Sequence, residues 1–353
     1  MKARPHIGFT CAYTPVQLIH AAGFTPFRIL PMGTAPSQAG MVLHDNMCPH
    51  VKQVLDRLLA GDVPELAALV LMNSCEAMRR LADAVTASRP DIPVILIDLP
   101  SETSQEAAVY YAAQLSELLT QLNCLTQSPA DTNSVVASIG KYNHLINALN
   151  KCREQTPYSA SGSPSMQALY NLAVTATPEQ TLDQIERRDT PQSGQPKGVP
   201  IYLFGNLLCD PAAFEMIERA GCRILGDDLC TGVRQLTYVD LTDSPGLDPD
   251  PIGQLAHALL NRAPCGRTVC SDKLPHLANY ITEQVTRSGA VGAIAHVMKF
   301  CDPYLARLPA VRQQLRQHKI PLLILEADGT LGSFGQQRTR IEAFVETLGG
   351  HSQ

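Results

Sequence analysis

The chain contains no apolar run approaching the roughly 20 residues needed to cross a bilayer. Its opening residues, MKARPHIGFTC, have neither the apolar stretch nor the small-residue cleavage site of a secretory signal. A cytoplasmic location is therefore the expectation. There is also no excess of charge of one sign: 28 Lys and Arg stand against 33 Asp and Glu, interspersed along the chain, for a net charge of -5. Such a balance creates no field that would gather nucleic acid or an anionic membrane surface, and both partner classes are set aside. No Cys-x2-Cys knuckle occurs, so the tight spacing usual for structural zinc is missing. A Gly-x4-Gly-Lys-Ser/Thr phosphate loop is missing as well, so any use of ATP would fall to another chain.

What is present is 353 residues, 45% of them hydrophobic, enough for two cores. Short runs rich in Val, Ile and Leu alternate with segments of helical period, the pattern of parallel sheets built from strand-helix-strand units. The predicted strands are HIGFT, TPFRIL, ALVLMN and PVILIDLP in the first part, then PIYLFGN, CRILGD, AIAHVMKF and PLLILEAD in the second. Between them the sequence reads as helices, closed by the Gly/Pro linker QSGQPKGVP. The two strand-bearing parts echo one another. IHAAGFTPFRIL is matched by IERAGCRIL, and the order strand, cysteine, amphipathic helix, Pro-led strand occurs in both. The expectation is an α/β protein of two similar Rossmann or flavodoxin-like parallel-sheet domains, residues 1–101 and 193–353, with a helical segment at 102–192.

Eleven cysteines in a chain with no export signal call for an explanation other than disulfides. Cys75 and Cys301 each follow an apolar strand, Cys48 and Cys230 come after the second strand of each half, and Cys11 ends the first strand. In open α/β sheets ligands bind at that carboxyl edge. Cys265 lies in a loop of the second half. Six thiols are thus expected at one interdomain cleft, as metal ligands. Cys124, Cys152, Cys209 and Cys222 lie within apolar patterns and are assigned to core packing; Cys270 is close enough to Cys265 to substitute for it. Thiolate-rich sites select zinc or iron-sulfur clusters, and scattered ligands without knuckles favour a cluster.

HVMKFCDPY, MNSCEAMRRL, GDDLCTGVRQL and LEADGTLGSFGQQRTRIEAF together resemble the 2-hydroxyacyl-CoA dehydratase / benzoyl-CoA reductase family, which also contains the double-cubane cluster proteins. The resemblance runs from about Ile7 to Leu348. It implies a 4Fe-4S cluster on three cysteines, carried over here to Cys48, Cys75 and Cys301, and an acyl-CoA substrate. It also implies a separate ATP-hydrolysing iron-sulfur activator and a homologous subunit, in a homo- or heterodimer. In the dehydratases the resemblance implies reduction of the thioester carbonyl to a ketyl radical anion, from which the hydroxyl departs. All six edge cysteines, Cys11, Cys48, Cys75, Cys230, Cys265 and Cys301, also suit an 8Fe-9S double cubane, as in a reductase acting on small molecules, and a non-catalytic cluster-binding partner subunit is the remaining alternative. The chain starts at its first strand, without the longer N-terminal helical region expected of catalytic dehydratase subunits, which leaves the CoA site and the partner interface open.

Other candidates flank these residues. His50, two residues after Cys48, is placed to hydrogen-bond a cluster sulfur or move a proton. Tyr13 and Glu76, each within two residues of a proposed ligand, are candidates to tune potential or carry a proton. The Gly-rich turn before Gly335 leads into a helix whose free N–H groups suit an anion, with Gln336 and Arg340 on one face as polar contacts. Asp227 and Asp228 are expected to cap the segment that follows them.

Overall fold

In the computed structural model, residues 4–32, 38–158, 162–188, 197–242, 250–267, 274–328 and 334–349 are described. The first half runs β1 (His6–Phe9), α1 (Val16–Ala21), β2 (Thr25–Arg28), α2 (Pro49–Ala60), β3 (Leu66–Asn73), α3 (Glu76–Ser88) and β4 (Val94–Asp98). Four helices follow: α4 (Gln105–Cys124), α5 (Thr132–Gln155), α6 (Gly162–Ala173) and α7 (Pro178–Glu186). The second half runs β5 (Val199–Gly205), α8 (Pro211–Arg219), β6 (Cys222–Asp228), α9 (Pro251–Leu260), α10 (Leu274–Ser288) and β7 (Gly292–Met298), then α11 (Asp302–Leu305), α12 (Leu308–Gln317), β8 (Leu322–Ala327) and α13 (Phe334–Gly349). Every run read as a strand in the sequence forms one, and every pairing is parallel.

Both sheets have four strands and the same order, β2-β1-β3-β4 and β6-β5-β7-β8. The sequence echo is therefore a structural repeat of two flavodoxin-like units. The central strands are buried on both faces because helices cover both. Along β3, Ala68, Val70 and Met72 pack on one side with α1 and α4, while Leu69 and Leu71 pack on the other with α2 and α3. In the second sheet Ala293, Ala295 and Val297 face α10 and α12, and Ile294 faces α8 and α13.

The halves share more core than their order in the chain suggests. Helix α9 follows β6, yet Leu255, Ala256, Leu259 and Leu260 join the core of the first sheet beside Tyr111 and Leu115 of α4. Cys209 and Cys222 are buried in cores and Cys152 packs half-buried against one, as expected. Cys124 does not follow that expectation. It is exposed at the end of α4, because the buried stripe Leu115, Leu118, Leu122 leaves a residue two positions later on the opposite face. Cys270 lies outside the described residues.

Candidate functional site

In each sheet the chain leaves the inner pair of strands in opposite directions, so a crevice opens at the carboxyl ends of β1 and β3 and of β5 and β7. The two crevices form one cavity of about 120 Å³. All six edge cysteines line it, Cys11, Cys48 and Cys75 from the first half and Cys230, Cys265 and Cys301 from the second. Three of them share one local device. Cys48, Cys75 and Cys301 are the N-cap residues of α2, α3 and α11, with Pro in the first turn of α2 and α11. No oxygen-bearing side chain caps these helix starts, so their first free N–H groups are left to approach the sulfurs. These amides come from His50 and Val51 for Cys48, Ala77 and Met78 for Cys75, and Tyr304 for Cys301.

Backbone geometry at the crevice is tight. Gly205 ends β5 at φ 142°, and a Cβ there would lie 1.9 Å from the His296 carbonyl oxygen, so no other residue lets β5 and β7 meet at this point. Asn206 comes next; its Oδ1 accepts from the Met298 amide at 2.9 Å. Phe300, at φ 57°, takes a left-handed conformation that turns the chain out of β7 into Cys301.

Burial pushes the thiols up. Cys48 rises to about 11 and Cys301 higher still; Cys11, Cys75 and Cys230 rise too. Mutual repulsion adds to this and divides the sulfurs into two sets. Cys48 and Cys75 both act on Cys301, and Cys75 acts on Cys48, whereas Cys230 acts on Cys11 and feels Cys265. Cys11 also acts on Cys75, so the sets adjoin. Opposing the rise are the N-terminal amides, the Asn206 side chain at Cys301, and arginine.

The arginines were not read from the sequence. Arg28, Arg234, Arg262 and Arg267 all line the cavity, and among the described residues no carboxylate does. Arg28, 1% exposed, donates to the carbonyls of Thr10 at 3.1 Å and Cys230 at 2.7 Å and so ties the halves together. Arg234, 4% exposed, donates to the Gly205 and Pro264 carbonyls, lies 3.6 Å from the Cys230 sulfur, and pairs with buried Asp228 at 3.3 Å. Arg262 donates to the Ala12 carbonyl at 2.6 Å and lies over the Tyr13 ring at 5.1 Å. Arg267 holds the carbonyls of Asn73, Ser74, Leu99 and Pro100. Asp228 balances Arg234, whereas the carbonyl partners of Arg28, Arg262 and Arg267 satisfy donors without cancelling charge, so these three make the cavity wall positive.

The remaining candidates divide. His50 is buried in the first turn of α2, lines the cavity, and its Nε2 has no hydrogen-bond partner. Burial, reinforced by Arg28, lowers it to about 3, so the imidazole is neutral. Tyr13 also lines the cavity and is buried. Tyr304, missed in the sequence, lines it with an unpartnered buried hydroxyl. Glu76 is not brought to the cavity: it sits on the exposed face of α3, paired with Arg79 at 3.4 Å and Arg80 at 2.9 Å. Gly335, Gln336 and Arg340 are exposed at the start of α13 and do not line the cavity; Arg340 donates to the Ile324 carbonyl. The turn before them lies outside the described residues. Asp227 caps as expected, accepting from the amides of Leu229 and Val233. Asp228 pairs with Arg234 instead.

Residues 11–348 match the family model described as 2-hydroxyglutaryl-CoA dehydratase, D-component. The chain belongs to this family. It is 24% identical over 349 residues to the (R)-phenyllactyl-CoA dehydratase beta subunit of Clostridium sporogenes, covering 97% of this chain and 91% of that one. It is 25% identical over 357 residues to the beta subunit of lactoyl-CoA dehydratase from Anaerotignum propionicum, with 97% and 91% covered. A benzoyl-CoA reductase subunit of Thauera aromatica is 22% identical over 361 residues, with 98% and 91% covered. Cys48, Cys75, Cys301 and the arginine wall all fall within the family match.

Proposed function

We propose that this chain is the iron-sulfur subunit of a 2-hydroxyacyl-CoA dehydratase or benzoyl-CoA reductase-like enzyme, acting on an acyl-CoA thioester beside a homologous subunit. The observation that carries this reading is the pairing of six thiols with four guanidinium groups in one cavity that no described carboxylate lines. Arg28 is buried with carbonyl partners alone, and a buried cation not balanced by a carboxylate is costly; a cluster bearing thiolates and sulfides would supply the missing negative charge. The unpartnered Tyr304 Oη, and His50 Nε2 in the tautomer protonated there, are donors of the kind that cluster sulfurs accept. Among the described residues no three Cys, His, Asp or Glu side chains close around a point tightly enough for a single ion. That speaks against mononuclear zinc but not against a cubane, whose thiolates bind different irons and stand farther apart.

Cys48, Cys75 and Cys301 would hold the cluster. When bound, it would accept a low-potential electron from an ATP-hydrolysing activator and pass it to the thioester. The chain's own part is to present thiolates at three helix starts, to offset negative charge with Arg28, and to hold a neutral imidazole at the cavity wall.

A second reading rests on the other set of sulfurs. Cys11, Cys230 and Cys265 line the same cavity and adjoin the first three through Cys11 and Cys75, the layout for a double cubane on six thiolates. Anaerobic purification with iron and sulfide quantification tests both readings: about four irons per chain supports one cubane and about eight the double cluster. Cys301→Ser should lower iron in either case. Cys230→Ser and Cys265→Ser should spare a single cubane and destroy a double one. Iron-free protein from anaerobic cells would refute the proposal.

A further inference from the structure

Asn206 follows the last residue of β5 and is 4% exposed in the wall of the cysteine cavity. It is fixed from three sides. Its backbone N–H donates to the His296 carbonyl at 3.1 Å, its carbonyl accepts from the Cys230 amide at 2.7 Å, and its side-chain Oδ1 accepts from the Met298 amide at 2.9 Å. The last of these bonds settles which end of the side-chain amide is which. A backbone N–H needs an acceptor and the asparagine NH2 group offers none, so the oxygen faces Met298 and Nδ2 is turned away from it.

Nδ2 is buried and completes no hydrogen bond. An unmade donor in the interior is costly and calls for a partner. Cys301 stands in the same wall, in a turn closed by its own N–H on the Met298 carbonyl at 3.3 Å. The Asn206 amide approaches the Cys301 sulfur closely enough to favour the thiolate. A neutral thiol is a weak acceptor, which accounts for an approach without a completed bond, whereas a sulfur carrying negative charge is a strong one. The first half does not duplicate this arrangement. Thr10 follows the last residue of β1 as Asn206 follows that of β5, but its hydroxyl donates to the Met78 sulfur at 3.5 Å.

We infer that Asn206 donates from Nδ2 to the Cys301 sulfur when that sulfur holds iron, and so raises the reduction potential of the cluster. Reduction adds negative charge to iron and sulfur, so a hydrogen bond to a ligand sulfur stabilises the reduced form more than the oxidised one. Asn206 is thus a positioning residue that acts through Cys301. The inference rests on the proposed iron-sulfur function, and it holds for a single or a double cubane, since Cys301 is a ligand in both readings.

Potentiometric titration of the anaerobically purified protein, followed by electron paramagnetic resonance, measures the potential, with iron content determined on the same samples. Asn206→Leu, similar in shape but without a donor, should lower the equilibrium constant for one-electron reduction about tenfold, a fall of about 59 mV. Asn206→Asp keeps the acceptor for Met298 and puts negative charge where the donor was, so it should lower the constant further. Asn143 provides the structural control: its side chain closes a similar pair of bonds with Val239, at 2.7 and 3.0 Å, and lines no part of the cavity. Asn143→Asp should lower the melting temperature and leave the potential at the parental value. A parental potential in iron-bearing Asn206→Leu, or an equal fall in Asn143→Asp, would overturn the inference and leave the proposed function standing. Loss of iron from both Asn206 variants would overturn it as well, by making Asn206 part of the metal's hold. An iron-free parent would remove the proposed function and this inference together.

Discussion

Replacing Arg234 with Met should be among the most damaging substitutions at the cavity that leave every cysteine in place. The side chain is 3% exposed, its partner Asp228 is 0% exposed, and they meet at 3.3 Å. Removing the guanidinium leaves a buried carboxylate without its counter-charge and two carbonyls, Gly205 and Pro264, without a donor. Breaking a buried pair from one side costs about 3–5 kcal/mol. The carboxylate's share has a ceiling, because Asp228 can escape by taking up a proton. Measured from the value of about 6 that Asp228 already has beside Arg234, full neutralisation at pH 7 costs about 1.4 kcal/mol more than in the parent, and that cost grows by about 1.4 kcal/mol per pH unit above 6 and vanishes below it. Burial already raises Asp228 to about 6 with Arg234 present, so its loss drives the carboxyl higher. An acid whose folded-state value is raised contributes most favourably below the unfolded value and loses that contribution as pH rises. The defect of Arg234→Met should therefore be small near pH 4 and grow to pH 8. Urea denaturation of metal-free protein, followed by circular dichroism across this range, measures it. Adding Asp228→Asn should recover most of the carboxylate's share. A single variant that loses less than about 1 kcal/mol, or a double variant no more stable than the single, would refute the argument.

Other perturbations have similarly definite outcomes. His20 and His296 are both lowered to about 4 by burial, so the stability they carry is full above 6.5 and lost as pH falls through 4. Each contributes up to about 3 kcal/mol to acid sensitivity, and His20→Gln should flatten the urea midpoint between pH 7 and 4.5. Gly205→Ala puts a methyl group against the His296 carbonyl and should cost about 3 kcal/mol or more, read as a lowered melting temperature. Glu76→Gln removes only exposed pairs with Arg79 and Arg80 and should change stability by no more than about 0.5 kcal/mol, with iron content unaltered; a loss of iron would return Glu76 to the site.

The architecture was legible because each strand is a short apolar run bounded by Gly, Pro or Asp, and because covered parallel strands need no alternation. The shared edge of the cysteines followed from topology, since residues just past parallel strands converge whatever their distance in sequence. Less legible was which long polar side chains turn inward. Arg28 sits in TPFRIL as one charge in an apolar strand, a visible signal, but its partners are carbonyls at Thr10 and Cys230 that no sequence pattern reports. The burial of His50 depends on α2 beginning at Pro49, directly after Cys48, which sets the imidazole in the first turn rather than in a loop. Asn206 reads in the sequence as the last residue of the strand PIYLFGN, whereas β5 ends at Gly205 and the switch of strand order places Asn206 in the crevice.

Arg28 and Arg223 hold the same place in the echoed stretches TPFRIL and CRIL, but not in the sheets: Arg28 pairs with Phe9 at the end of β1, and Arg223 with Pro200 near the start of β5. Arg28 is fully buried at the cavity, whereas Arg223 is half-buried and lines no part of it. This part of the sequence echo is thus offset from the structural repeat, and Arg223 lies toward the amino end of its strand, away from the edge that carries the cleft. The cysteines after β3 and β7 retain equivalent roles at helix starts, since each copy contributes a ligand-bearing edge. The arginines do not: the first half brings Arg28 from the end of β2, while the second brings Arg234, Arg262 and Arg267 from segments outside its strands. In this duplicated chain the sulfur positions follow the fold, while the balancing charge follows the site.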